Sequence, residues 1–183
     1  APPGAARCLV LLAVAQYEDW IGQPDEGWAH ASLGVAMAEA LGDDTLRCNA
    51  LGAAGFVAQR RGDLTKAQDL AAQALALADR LGDCHERGNA LSLQAAVQAA
   101  RGEHAAALAT LEQALDLRRR LGHAWAEAMS GLHLGQLAID AGDPARALPH
   151  LLRAFELAPR CDSQVLHVNL LGLSGEWCAA TGR

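Results

Sequence analysis

Apolar and small residues recur along the 183-residue chain in a fixed register, interrupted by short polar turns. One block type carries Val35, Leu75, Leu115 and Phe155 at equivalent places, followed two residues on by Met37, Leu77, Leu117 and Leu157. Small residues stand beside them: Gly27, Ala67, Ala107 and Ala147, then Gly34, Ala74, Ala114 and Ala154. The alternate block type carries Leu11, Leu51, Leu91 and Leu171, with Gly131 interrupting, and Tyr17, Val57, Val97, Leu137 and Trp177. Between blocks Gly falls at 22, 42, 62, 82, 102, 122, 142 and 182, every twentieth residue with the single exception of Asp162. The register is therefore a 40-residue repeat made of two halves of 20.

A glycine supplies the left-handed position that ends a helix, and an Asp just after it accepts the free N–H groups of the next helix. Asp43, Asp63, Asp83 and Asp143 stand in that place, and Pro144 suits a first helical position. The pattern predicts one helix per half and a helical hairpin per repeat. First helices (A) are expected over 6–21, 45–61, 85–101, 125–141 and 164–181. Second helices (B) are expected over 24–41, 64–81, 103–121 and 144–160, the last bent by Pro149. Small residues at equivalent places allow close helix crossings, so the array is a solenoid in which each repeat buries its neighbour's face.

Composition sharpens this picture. Of the residues 51% are hydrophobic and only 4% aromatic, with 41 Ala and 30 Leu supplying most of the apolar volume. These are strong helix formers, and the residues that fill sheets are scarce, which excludes an all-β fold. Fifteen basic residues stand against 21 acidic ones, so the basic face that nucleic acid requires is missing. Cys8, Cys48, Cys84, Cys161 and Cys178 make an odd set without a CxxC pair, which points to a reduced, cytoplasmic chain rather than a disulfide framework. Arg7 followed by Cys8–Ala15 imitates a signal peptide, but the register makes that stretch the first A helix. No apolar run reaches the length of a membrane span.

Catalytic signatures are missing too. The seven His form no HExxH motif, and there is no Walker loop or GxSxG. The chain reads as non-catalytic, with no cofactor and no metal. Asp83-Cys84-His85-Glu86 gathers metal-capable side chains in one turn without the ligand spacing of a zinc site. Arg61-Gly62-Asp63 imitates an adhesion tripeptide, yet Arg101-Gly102-Glu103 at the equivalent place marks it as a turn.

The pattern resembles the tetratricopeptide repeat (TPR), whose helix A carries a small residue seven positions before the inter-helix Gly. Ala15, Gly55, Ala95, Gly135 and Gly175 occupy that place, and Pro159 sits where the family often ends helix B. The repeat is longer than the usual one, and the family's aromatic positions are mostly Leu or Ala. The resemblance implies an all-α, right-handed superhelical solenoid of antiparallel helix pairs, with about four and a half repeats. It further implies protein or peptide binding in a concave groove lined by the A helices. Repeats of this length look like those of bacterial multidomain regulators, such as LuxR-type activators and signalling ATPases, and of kinesin light chains. A ligand-sensing segment of such a regulator is the alternative role.

By that family's geometry, groove positions lie at Leu9, Asn49, Asn89, Met129 and Asn169 near the starts of the A helices. Side-chain amides there match an extended peptide backbone, or else bond the neighbouring helix. Gln16, Trp20, Phe56, Gln59, Leu93, Leu132, Gln136 and Ile139 complete a mixed, rather apolar lining. A Lys/Arg set that clamps a terminal carboxylate is missing. Arg7, Arg47 and Arg87 form a ladder, broken by Glu127 and His167, that reads as an anion edge or as ion pairs with Asp43, Asp44, Asp83 and Glu86. Such surface pairs contribute on the order of 0–1 kcal/mol.

The chain reads as one domain over 1–183, with repeats near 5–42, 43–82, 83–122 and 123–162 and a final helix over 163–183, cut from a larger protein. That helix carries Val168, Leu170, Leu171, Leu173 and Trp177 and is expected to leave apolar surface bare, which suits pairing with a second copy.

Overall fold

The computed structural model describes residues 3–82 and 84–182. Among them the regular elements are all helical. They are α1 (Pro3–Trp20), α2 (Pro24–Leu41), α3 (Asp44–Arg60), α4 (Leu64–Leu81), α5 (His85–Ala100), α6 (His104–Arg120), α7 (Ala124–Asp140), α8 (Pro144–Leu157) and α9 (Gln164–Thr181). Odd-numbered helices are the A helices and even-numbered ones the B helices, close to the expected limits. The largest differences are three residues, where α1 begins early and where α8 ends early.

The glycine punctuation acts as a set of helix stops. All eight glycines of the twenty-residue series have positive φ, between 66° and 85°. Asp162, the exception in sequence, takes the same left-handed conformation at φ 41°, and is the one non-glycine among the described residues to do so. Side chains of Asp43, Asp63 and Asp143 accept from Leu46, Lys66 and Arg146 N–H, as expected of N-caps. His123 and Ser163 take that part for α7 and α9, while Gln23 and Cys84 make no side-chain cap bond. Asp83 lies outside the described residues. Helix α8 stays α-helical through Pro149, and ends at Leu157 in a 3-10 turn over Ala158–Arg160. Pro159 has no N–H to continue the α-ladder.

The chain divides into two compact units, Ala1–Glu103 (α1 to α5) and His104–Arg183 (α6 to α9). In the first unit, α1 packs on α2 and α3, and α3 on α4 and α5. Its core gathers Ala15, Leu51, Val57, Ala74, Leu93 and Val97, beside a smaller cluster around Cys8 and Leu12. In the second unit, α7 packs on α6, α8 and α9, around Leu132, Leu151, Leu157, Leu166 and Leu170.

The small positions serve close crossings. A Cβ on Gly27 of α2 lies 2.8 Å from the Ala15 carbonyl oxygen of α1, and one on Gly55 runs into Leu93. Cys8 and Cys48 are equivalent and buried, and each thiol donates to a B-helix carbonyl, Gly34 O at 3.2 Å and Ala74 O at 3.3 Å. Three expected core positions depart from the pattern. Phe155 is 46% exposed, unlike Leu115, Tyr17 on the first helix stands exposed, whereas Val57 and Val97 are fully buried, and Leu171 on the last helix is exposed, unlike Leu51 and Leu91.

Candidate functional site

Adjacent A helices within each unit are tied by polar side chains near the expected groove positions. In the first unit, Arg60 Nε of α3 meets the buried Asp19 carboxylate of α1 at 3.0 Å. Burial pushes the Asp19 carboxyl up, and the Arg60 guanidinium pulls it partly back. Asn49 Nδ2 of α3 donates to Glu86 Oε1 of α5 at 3.3 Å. In the second unit, Gln136 Nε2 of α7 donates to Glu176 Oε2 of α9 at 2.7 Å and to Asp140 Oδ1 at 3.0 Å. These links fix neighbouring A helices side by side. The sequence marks the amides but not their partners, because Glu86 and Glu176 lie one repeat further along the chain.

The other expected groove residues fall into two sets. Trp20 is 60% exposed and Gln16 is exposed, while Phe56, Gln59, Asn89, Asn169 and Ile139 are half-buried. Phe56 leans on the core of the first unit and Ile139 on that of the second. Leu93 and Leu132 are buried core residues, which removes both from the exposed lining. Leu93 caps Gly55, so its side chain turns toward α3.

The ladder arginines Arg47 and Arg87 form ion pairs with acids the sequence reading did not name, while the expected acid Asp83 lies outside the described residues. Arg47 pairs with Glu39 at 3.3 Å and Arg87 with Asp79 at 3.5 Å, each the same repeat position on the preceding B helix. Arg7 is exposed.

Sequence reading missed a charged cluster in the second unit. Glu127, visible in sequence only as a break in the ladder, is a buried carboxylate on α7. It accepts from Arg119 Nε of α6 at 3.3 Å and from Arg153 Nε of α8 at 3.0 Å. The three residues line a crevice with Leu115, Ala128, Gly131, His150 and Ala154. Burial lowers the His150 pKa, and Arg119 and Arg146 lower it further against the opposing pull of Glu112. Next to it Arg118 is buried, donates to Ala126 O and Ser130 Oγ, and has its pKa lowered by burial to about 10, so it stays charged at neutral pH. Among the described residues no three His, Cys, Asp or Glu are grouped to hold a metal ion, and no helix is long and apolar enough to cross a membrane.

Repeated antiparallel helix pairs, stacked so that each A helix packs on the next within a unit, define a helical-repeat solenoid fold. Residues 46–120 match the model of the tetratricopeptide repeat family, and the chain carries the fold of a tetratricopeptide-repeat protein. A kinesin light chain protein of Podosopora anserina with nearly identical TPR-like repeats superposes with TM-score 0.69 at 17% identity, over 100% of this chain and 90% of that one. BtubC of P. vanneervenii superposes with TM-score 0.71 at 16% identity, over 98% of this chain and 77% of that one. A Rap protein solved in complex with competence and sporulation factor gives TM-score 0.82 at 17% identity, over all of this chain and 51% of that one. No curated protein matches the sequence.

Proposed function

We propose that the chain is a non-catalytic scaffold that binds a peptide or protein segment along the A-helix faces of its units. The observation that carries this reading is the side-by-side fixing of A helices by Asp19–Arg60, Asn49–Glu86 and Gln136–Glu176. Helices held this way present fixed side chains, and a preorganised surface binds at lower entropic cost. In the first unit that surface offers the Trp20 ring, the half-buried Phe56 and the amides of Gln16 and Gln59. Apolar anchors among hydrogen-bonding amides suit a segment with alternating apolar side chains and an accessible backbone. The Rap complex supports the reading by likeness of fold alone.

The Asn49 amide serves Glu86 and so positions α5, which makes it a support for the surface rather than an anchor. A displayed random-peptide library tests the proposal. Peptides selected on the wild-type chain lose binding to Trp20→Ala and Gln59→Ala at unchanged helicity. Selected peptides that bind both variants as well as wild type refute the groove. Removing an aromatic anchor of this kind costs on the order of 2 kcal/mol.

A further inference from the structure

The ion pairs that join each B helix to the next A helix change sign once. Glu39–Arg47 and Asp79–Arg87 set an acid on the B helix against an arginine on the A helix, all of them at the surface. At the third joint the B helix carries Arg119 and the A helix Glu127, and the carboxylate is only 8% exposed. Two further departures from the repeat fall at the same place. Arg153 of α8 stands where α4 and α6 carry Gln73 and Gln113, and its Nε meets Glu127 Oε1 at 3.0 Å. Gly131 of α7 stands where other A helices carry Leu11, Leu51, Leu91 and Leu171, and a Cβ built on it lies 3.5 Å from His150 O. A longer side chain would meet the α8 backbone there, so Gly131 lets α8 close on α7 and brings Arg153 and His150 to the crevice.

One arginine serves each carboxylate at the earlier joints; here there are two. Arg119 and Arg153 share the single oxygen Glu127 Oε1, so their guanidiniums stand side by side. Arg119 is held through Nε, and Arg153 through Nε and through Nη1, which meets Glu156 Oε2 at 3.0 Å. Glu156 is 66% exposed, so water screens its hold. Both arginine side chains are about half exposed, and both keep N–H donors to spare. Arg146 is occupied by Glu112. The charged groups around His150 are thus Glu112 and Arg119 of α6, Glu127 of α7, and Arg146 and Arg153 of α8. Leu115, Ala128 and Ala154 give the crevice apolar walls, beside which charges interact more strongly than in open water.

We propose that the mouth of this crevice binds a tetrahedral oxyanion of the phosphate kind, bridged by the outer N–H groups of Arg119 and Arg153 with His150 beside them. Side chains from two helices converge on one spot, which suits oxygens pointing in several directions better than a flat carboxylate. Glu127, buried and bonded to both Nε atoms, sets the two forks before the ligand enters. No residue is shared with the A-helix groove, so the site stands or falls independently of it.

Sulfate, a dianion throughout the range in which imidazole titrates, is the first probe. The His150 ring is followed by NMR as it titrates in sodium sulfate and in sodium chloride of equal ionic strength. A bound anion favours the charged ring, so the His150 midpoint is expected to rise in sulfate, while that of His30, paired with Glu18, is the same in both salts. The rise is expected to saturate with sulfate, with binding about tenfold weaker in Arg153→Lys, which keeps the charge and loses the fork. Arg47→Lys, a change in a surface pair, is expected to leave it unaltered. Circular dichroism verifies folding, and Arg119→Lys takes the place of Arg153→Lys if that variant unfolds. Inorganic phosphate and O-phosphoserine then separate a free ion from a phosphoryl group carried on a larger molecule, the tighter binder marking the source. A His150 midpoint equal in the two salts, or a rise that the lysine variant keeps in full, overturns the site.

Discussion

At the residue scale, the same side-chain type is worth opposite amounts at equivalent-looking places. Gly27 lies against the Ala15 carbonyl, a backbone atom that cannot swing aside, whereas Gly175 faces open space within a helix. Gly27→Ala is therefore expected to destabilise by about 1–3 kcal/mol, and Gly175→Ala to stabilise by roughly 0.5–1 kcal/mol, read from urea midpoints at constant slope. Asp162 holds a left-handed backbone that glycine adopts without strain. Asp162→Gly is expected to gain stability of up to about 1 kcal/mol, less than the full left-handed penalty because glycine also frees the unfolded chain. An unchanged or lower midpoint for that variant removes strain from the account. The sequence shows Asp162 as a gap in the glycine series; only the dihedral shows that the turn survives the gap.

At the element scale, helix limits were legible because each boundary is written in local chemistry. Gly42, Gly62 and Gly142 stop helices, and Asp43, Asp63 and Asp143 start the next ones, all within a few residues. Partners across repeats were not legible in the same way. Nothing local tells that Asn49 reaches Glu86, that Leu93 turns into the core over Gly55, or that Glu127 joins Arg119 and Arg153. Those depend on how far side chains extend between helices, which repeat spacing alone leaves open. The crevice between α6, α7 and α8 yields a pH prediction. The folded state lowers the His150 pKa below its usual 6.5, so on acidification the unfolded chain takes the proton first. Stability is expected to fall as pH drops through 6.5 toward the folded value, and the fall is shallower in His150→Gln. Parallel denaturation curves for wild type and variant at every pH contradict this.

At the scale of the whole molecule, the two compact units carry separate cores, and in repeat arrays stability is a sum of local and nearest-neighbour contributions. Leu166 is fully buried among α7, α8 and α9. Leu166→Ala is expected to cost about 2–5 kcal/mol. Amide hydrogen exchange is expected to quicken over α7 to α9 while α1 to α4 keep their protection, and uniform quickening counts against separable units. The thiols give a means of watching this happen. Cys8 and Cys48 lie sealed in the first unit, and burial pushes the Cys48 thiol to about 12, far from its reactive form. Cys84, Cys161 and Cys178 are only half-buried. A pulse of alkylating reagent followed by mass spectrometry thus marks three sites in the native chain and two more only when the first unit opens. The chain therefore has a built-in clock for the breathing of one half of the array, read from its own thiols with no residue changed.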